Sequence, residues 1–291
     1  MNQPQEPGEP HGPSTPSTLL VIPYFDGDRG LPDRPLTGVF YYCPSIIVSG
    51  TPSRFEFTPG QPMDVTVDVV NHGAGTSVAA TSVVVWWAEP TTGFATLNWF
   101  GQEVVAVPSH GAYVARTRPI TGTIPAGAPN HVCLLARATA LSSSLPPDTT
   151  PDPINEPHWA QFNLVAHTVA PGETGFAFSW LAGNPGRTGA RYELRVRPAD
   201  ADALGRLTEV LEARPSAMPD MALTIEEGDG PRLAIDLDGG EQRRVHLRGD
   251  LTQGLEPGTF TAVEVAQFDV TDNPEGVPVG AIGLLLRPGS D

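Results

Sequence analysis

Lysine is absent from this chain: all 17 of its basic residues are arginine, set against 33 aspartates and glutamates. Replacement of Lys by Arg throughout reads as a GC-rich coding sequence rather than as a function. The surplus of acid says more. A net charge of −16 repels phosphate backbones, which excludes nucleic acid as a partner. Long apolar runs are also missing. None approaches the roughly 20 residues of a bilayer-spanning helix, so no membrane insertion is expected. Cysteine is scarce: Cys43 and Cys133 are too few for a zinc site and are not spaced as a redox pair. Two buried thiols are expected, as in a reducing compartment, with a single disulfide as the open alternative. The N-terminus "MNQPQEPGEPHGPSTPST" places no positive charge ahead of the short apolar "LLVI", so no Sec-type signal is visible. The expected location is the cytoplasm, or a particle assembled there.

Motifs of catalysis are lacking too. There is no G-x-S-x-G elbow, P-loop or H-E-x-x-H. The seven histidines are scattered without ligand spacing, and neither cysteine sits in a nucleophile signature. No enzyme activity, cofactor or metal is expected.

What the chain has in abundance is turn chemistry, with 32 prolines and 31 glycines in 291 residues. Helical bundles cannot hold proline at that density, because it removes a backbone donor and clashes with the preceding turn. Many turns joining short strands indicate an all-β protein. Residues 1–18 have almost nothing to bury and are expected to be disordered; residues 1–36 together read as a disordered or extended Pro-rich N-terminal arm. Strand patterning follows. In "MDVTVDVVN", Met63, Val65, Val67 and Val69 alternate with Asp64, Thr66 and Asp68. "TSVVVWWAEP" is apolar on both faces, which suits a central strand under a covering layer. "HVCLLARATA" puts Val132, Leu134, Ala136 and Ala138 on one face and His131, Cys133, Arg137 and Thr139 on the other. From "APGETG" a second unit of strand-like runs begins. Within it, "DADALGRLTEVLEA" carries Leu204, Leu207 and Leu211 at helical spacing and predicts one short helix. The expected architecture is two tandem β-sandwiches, residues 37–169 and 170–291, preceded by the arm.

A family resemblance rests on "PGQPMDVTVDVVNHGAG", on "IPAGAPNHVCLLARAT" and on "INEPHWAQFNL". Over about residues 44–169 these strands and turns resemble the CARDB domain, an immunoglobulin-like module common in bacterial surface and secreted proteins. The resemblance implies an Ig-like sandwich used as a spacer or contact domain. The C-terminal half resembles immunoglobulin or fibronectin-like sandwiches at the level of pattern.

"INEPHWAQFNLVAHTV" (154–169) crowds Asn155, Glu156, His158 and Trp159 together as an active site would. Alternation on a strand sends His158 and Trp159 to opposite faces, whereas metal or acid–base chemistry needs convergence. Asn155 and Glu156 therefore read as a turn that fixes the entry to the strand. The acidic loops "FDGDRG", "DTTPDPINE" and "DVTDNPEG" do not match the spacing of a calcium-binding EF-hand. Arg248-Gly249-Asp250 spells an integrin-binding tripeptide, placed by its neighbours between a strand and a hairpin turn. Aromatics are the better interaction candidates. Adjacent Trp86 and Trp87 cannot both face one core, so one needs a separate cover, and Trp99 with Phe100 is the strongest candidate for an exposed anchor. In the arm, Leu19, Leu20, Val21, Ile22, Tyr24 and Phe25 can add to a sheet edge of this chain or another. The function expected is a non-enzymatic structural or adaptor protein in a larger bacterial or phage-like assembly, with other protein subunits, copies of itself included, as partners. A surface or secreted adhesion or carbohydrate-binding module is the alternative.

Overall fold

The computed structural model describes residues 17–36, 38–129, 131–142, 150–164, 166–169, 173–211, 213–216, 221–228 and 230–288. These form eighteen strands and one helix, arranged as two β-sandwiches. The first sandwich contains β1 (Leu20–Val21), β2 (Ile46–Ser49), β3 (Pro62–Asn71), β4 (Ala79–Ala88) and β5 (Asn98–Val107). It is completed by β6 (Ala115–Arg116), β7 (Ile120–Thr123), β8 (Val132–Ala140) and β9 (Trp159–Leu164). β3 is the hub of one sheet, paired with β1, β2, β6 and β7, while the other sheet runs β5-β4-β8-β9. The predicted alternation holds in β3, where Met63, Val65, Val67 and Val69 are all buried. β4 lies between β5 and β8, as its two apolar faces require.

The second sandwich holds β10 (Ala166–Val169), β11 (Gly175–Gly183), β12 (Ala190–Pro198), α1 (Ala201–Leu211), β13 (Arg214–Pro215) and β14 (Met221–Ile225). It ends with β15 (Arg232–Leu237), β16 (Gln242–Leu251), β17 (Thr259–Asp269) and β18 (Val277–Pro288). A sheet of order β10-β18-β17-β12-β15 packs against β11-β16-β14. The helix starts where Asp200 caps it, its carboxylate accepting from the Ala203 N–H at 2.8 Å. It buries Leu204, Leu207 and Leu211, the predicted face. It is too short to cross a membrane, and no other helix is present among the described residues.

Three expectations change. Residues 166–169 do not close the first sandwich; they pair in parallel with β18 of the second, so the chain crosses over after Leu164. Arg248-Gly249-Asp250 is no turn, because it lies inside β16, flanked by β11 and β14. Gly249 is needed there because a Cβ would run into the Phe176 ring.

The third change concerns the arm and the cores. Residues 17–36 are built into the first sandwich. Leu20 and Val21 pair with Asn71 and Val70 of β3, and the Ile22 N–H donates to the Pro157 carbonyl at 2.9 Å. Asp28 locks the loop that follows. Its carboxylate accepts from the Tyr24 and Gly30 N–H groups at 2.9 Å each and from Arg34 at 3.2 Å. The core of the first sandwich then continues into the second. Tyr41, Phe40 and Leu36 join Leu204 and Leu207 of α1 and Phe260, Ala262, Ala266, Ala281 and Leu285 of β17 and β18 in one cluster. A separate cluster, with Trp180, Val263, Val265 and Ile282, fills the second sandwich. Sheet β17–β18 is therefore buried on both faces, and small residues on its outer face permit the close approach.

A buried polar clasp joins the halves. The Thr92 hydroxyl donates to Gln267 Oε1 at 2.7 Å, and Gln267 Nε2 donates to the Gly183 carbonyl at 2.7 Å. Gly93 and Gly183 meet backbone to backbone, where a side chain on either would collide with the other's carbonyl.

Candidate functional site

Two places gather the chemistry-bearing residues: the outer face of the β5-β4-β8-β9 sheet, and a cleft between the sandwiches. On the outer face, cross-strand partners set the rows. Trp99 lies opposite Trp86, and Trp86 opposite Leu135. In the next row come Gln102, Val84, Arg137 and Trp159. Trp86 and Trp159 rings lie 5.4 Å apart, and the Arg137 guanidinium sits 5.4 Å from each ring centroid. This is a cation–π stack with Trp159 beneath it, fully buried, and Trp86 half-buried. Trp99 is 60% exposed, and Val104, two residues beyond Gln102, is 49% exposed.

The adjacent tryptophans divide as expected: Trp87 packs on the main core, and Trp86 on the small outer cluster with Phe94, Cys133, Leu135 and Trp159. Phe100 does not join Trp99 at the surface. The register of β4 and β5 shifts at Val85/Trp86, so Phe100 is an extra residue turned into the main core. That bulge also explains how Trp99 and Gln102, an odd number of positions apart, share the outer face.

The arm residues go inward too. Leu20, Val21, Ile22 and Tyr24 are buried, Leu19 is half-buried, and Phe25 stays 44% exposed. The Tyr24 hydroxyl accepts from the Gln161 N–H at 2.8 Å. Leu20 and Val21 thus serve the edge of this chain's own sheet, while Phe25 remains at the surface. Cys43 and Cys133 are buried free thiols in different clusters, which closes the disulfide alternative.

The cleft has a volume of about 820 Å³ and brings together four segments. The arm, the end of β8 at residues 138–140, the turn at residues 150–158 and the loop at residues 269–279 all line it. Asn155 and Glu156 sit in a turn, as read, but Asp152 holds it. Both carboxylate oxygens of Asp152 accept from Asn155 Nδ2, at 3.0 and 2.9 Å, and one also takes the Asn155 N–H. His158 Nδ1 lies 3.5 Å from a Glu156 oxygen. Burial, followed by the neighbouring Arg137 charge, lowers the His158 pKa from 6.5 to about 4, so the ring is neutral near pH 7. Sequence reading missed this cleft. Among the described residues no three His, Cys, Asp or Glu side chains converge as a metal site.

No family model and no curated protein matches the chain. Solved structures give distant likenesses. The CupB6 tip adhesin from Pseudomonas aeruginosa is 9% identical, with 95% of this chain and 100% of that chain covered at a TM-score of 0.24. The collagen adhesin from S. aureus is 10% identical, with 84% and 91% covered at a TM-score of 0.20. The calcium binding domain CBD12 of CALX1.1 is 12% identical, with 72% and 77% covered at a TM-score of 0.21. At these scores the likenesses carry no argument about function.

Proposed function

We propose that this protein is a non-enzymatic structural or adaptor component, making protein–protein contacts through its Ig-like sandwiches in a larger bacterial or phage-like assembly. The observation that carries the reading is Trp99, 60% exposed on an outer sheet face beside half-buried Trp86 and exposed Val104. Large aromatics on a rigid sheet are the anchors on which protein interfaces concentrate their energy. The CARDB-like pattern of residues 44–169 fits a contact domain of this kind. Partners are other protein subunits, copies of this chain among them. Wild-type and Trp99→Ala chains purified from the native cells test the reading. The variant should melt like wild type and lose its co-purifying subunit; full retention of that subunit would refute the reading.

One observation favours the alternative, an adhesion or carbohydrate-binding module. Exposed Gln102 shares the outer face with Trp99, and an indole with an amide neighbour can stack a sugar ring and hydrogen-bond its hydroxyls. Competition separates the two readings. A glycan that binds through Trp99 without displacing the subunit supports the second, and failure of a broad glycan array supports the first.

A further inference from the structure

We infer that the cleft between the sandwiches is a docking groove for an extended peptide segment of a partner protein, one in which apolar residues alternate with Arg or Lys. The construction of the walls comes first. Ala138, Thr139 and Ala140 of β8 line one side, and Val277, Pro278 and Val279 of β18 line another. Successive strand residues point to opposite faces, so three in a row can line one cavity only where a strand presents its edge. The pairing agrees. β9 accompanies β8 over Val132–Arg137, the His158 carbonyl takes the Ala138 N–H at 2.9 Å just beyond it, and β10 reaches β18 only over Leu285–Pro288. Past those limits, among the described residues, β8 has β4 on one side and β18 has β17 on one side. Two strand edges, one from each sandwich, thus open onto the same space, with Pro278 offering a carbonyl but no N–H. An unpaired edge is a template for an added strand.

Charge and polarity then select the occupant. Leu31 and Val277 line the cleft while 60% and 50% exposed, which leaves apolar surface for a partner to cover. The ionisable lining residues are Asp152, Glu156, Asp269, Asp272 and the neutral His158, with no arginine among them. A ligand that complements this lining is cationic and apolar by turns, as one strand with two kinds of side chain would be. The chain's own segments adjoining the cleft in sequence are wrong for it. Residues 1–16 carry Glu6 and Glu9, residues 143–149 carry Asp148, and neither has an arginine. This inference is independent of the contact proposed at Trp99.

Isothermal titration of the full chain with three blocked peptides tests it: Arg-Val-Arg-Val-Arg, Glu-Val-Glu-Val-Glu, and the arginine peptide with alternate backbone nitrogens methylated. The arginine peptide should bind and weaken as salt rises, while the other two should not bind. The double variant Asp269→Asn/Asp272→Asn should weaken the arginine peptide roughly tenfold, as expected for two partly solvated ion pairs. Its melting temperature should not change, because the Asp269 oxygen that accepts from the Thr271 N–H is replaced by an amide oxygen. Failure of the arginine peptide to bind at millimolar concentration would overturn the inference. So would equal binding by the glutamate or methylated peptide, or undiminished affinity in the double variant. Displacement of the arginine peptide by a synthetic peptide of residues 1–16 would assign the cleft to the chain's own N-terminus and overturn it as well.

Discussion

Asp28→Ala is the sharpest test of how the N-terminal segment is held. Asp28 and Arg34 are an ion pair almost wholly removed from water, with side-chain exposures of 0% and 2%. The carboxylate also satisfies two backbone donors, on Tyr24 and Gly30. Arg34 depends on it heavily, since its Nε and Nη1 are buried without a partner. Its guanidinium also packs against the Tyr24 ring, with the guanidinium carbon 5.3 Å from the ring centroid. Removing the carboxylate strands a buried cation, which costs about 3–5 kcal/mol in comparable pairs. The two orphaned N–H groups add about 1 kcal/mol each if water reaches them only in part. The sum, about 5–7 kcal/mol, is a large share of a stability of roughly 5–15 kcal/mol. In urea, with a slope near 3 kcal/mol/M, the midpoint should fall by more than about 1 M at unchanged slope. Asp28→Ala/Arg34→Met removes the stranded charge as well and should recover at least half the loss. A single-variant loss below about 1 kcal/mol, or no recovery in the double variant, would show that the pair is not what orders this loop.

Three further outcomes follow from the same packing. Deleting residues 1–36 should give insoluble or dye-binding chain rather than two folded sandwiches. Burial of Leu20, Val21, Ile22, Tyr24 and Leu36 contributes on the order of 10 kcal/mol before ordering costs; a soluble deletion variant with native dispersion in its NMR spectrum would contradict this. His158 is held neutral by burial, with a pKa near 4 against 6.5 when free. Its contribution is therefore intact above pH 6.5 and is lost as pH falls toward 4. His158→Gln should flatten the acid limb of the stability curve in that window, and an unchanged limb would count against a buried neutral imidazole. Burial pushes both thiols from 9.0 up to about 12, so the native protein should resist alkylation at pH 8 while both cysteines label after denaturation. A linked Cys43–Cys133 peptide would refute that placement.

Local chemistry made part of this structure legible. The alternation of Met63, Val65, Val67 and Val69, the helical spacing of Leu204, Leu207 and Leu211, and the conflict between Trp86 and Trp87 each follow from a period of 2 or 3.6 residues. The burial of Phe100 was not legible, because a bulge changes parity without a local signal in "LNWFGQ". The crossing of residues 166–169 was hidden for a related reason: an apolar strand does not say which sheet it joins. A weak sign of the joint core was present in "TFTAVEVAQFDV". There Val263 and Val265 face one way, and Phe260, Ala262 and Ala266 the other, with Glu264 as the single charge on a face that solvent would normally wet. The cleft left no such sign. Its lining comes from the arm, from 138–140, from 150–158 and from 269–279, and only the docked sandwiches bring those segments together.

How the sandwiches dock decides what the two surfaces can do. Neighbouring domains in one chain usually move against each other, since their interfaces are small and polar. Here, separation would expose Phe260, Ala262, Ala281 and Leu285 to water along with α1 and the aromatic run at residues 40–42. It would also strand Thr92 and Gln267, both fully buried. Each of those costs acts against hinge motion. The edges of β8 and β18 are consequently held at a fixed separation, so a strand entering the cleft would meet a preorganised site and bear little of the ordering cost itself. Trp99 belongs to the same rigid body, on the sheet that contributes β8 to the cleft. A subunit bound at Trp99 and a peptide bound in the cleft would each be oriented by the same frame. That is the property a component of a larger assembly requires, and a hinged pair of domains would not supply it.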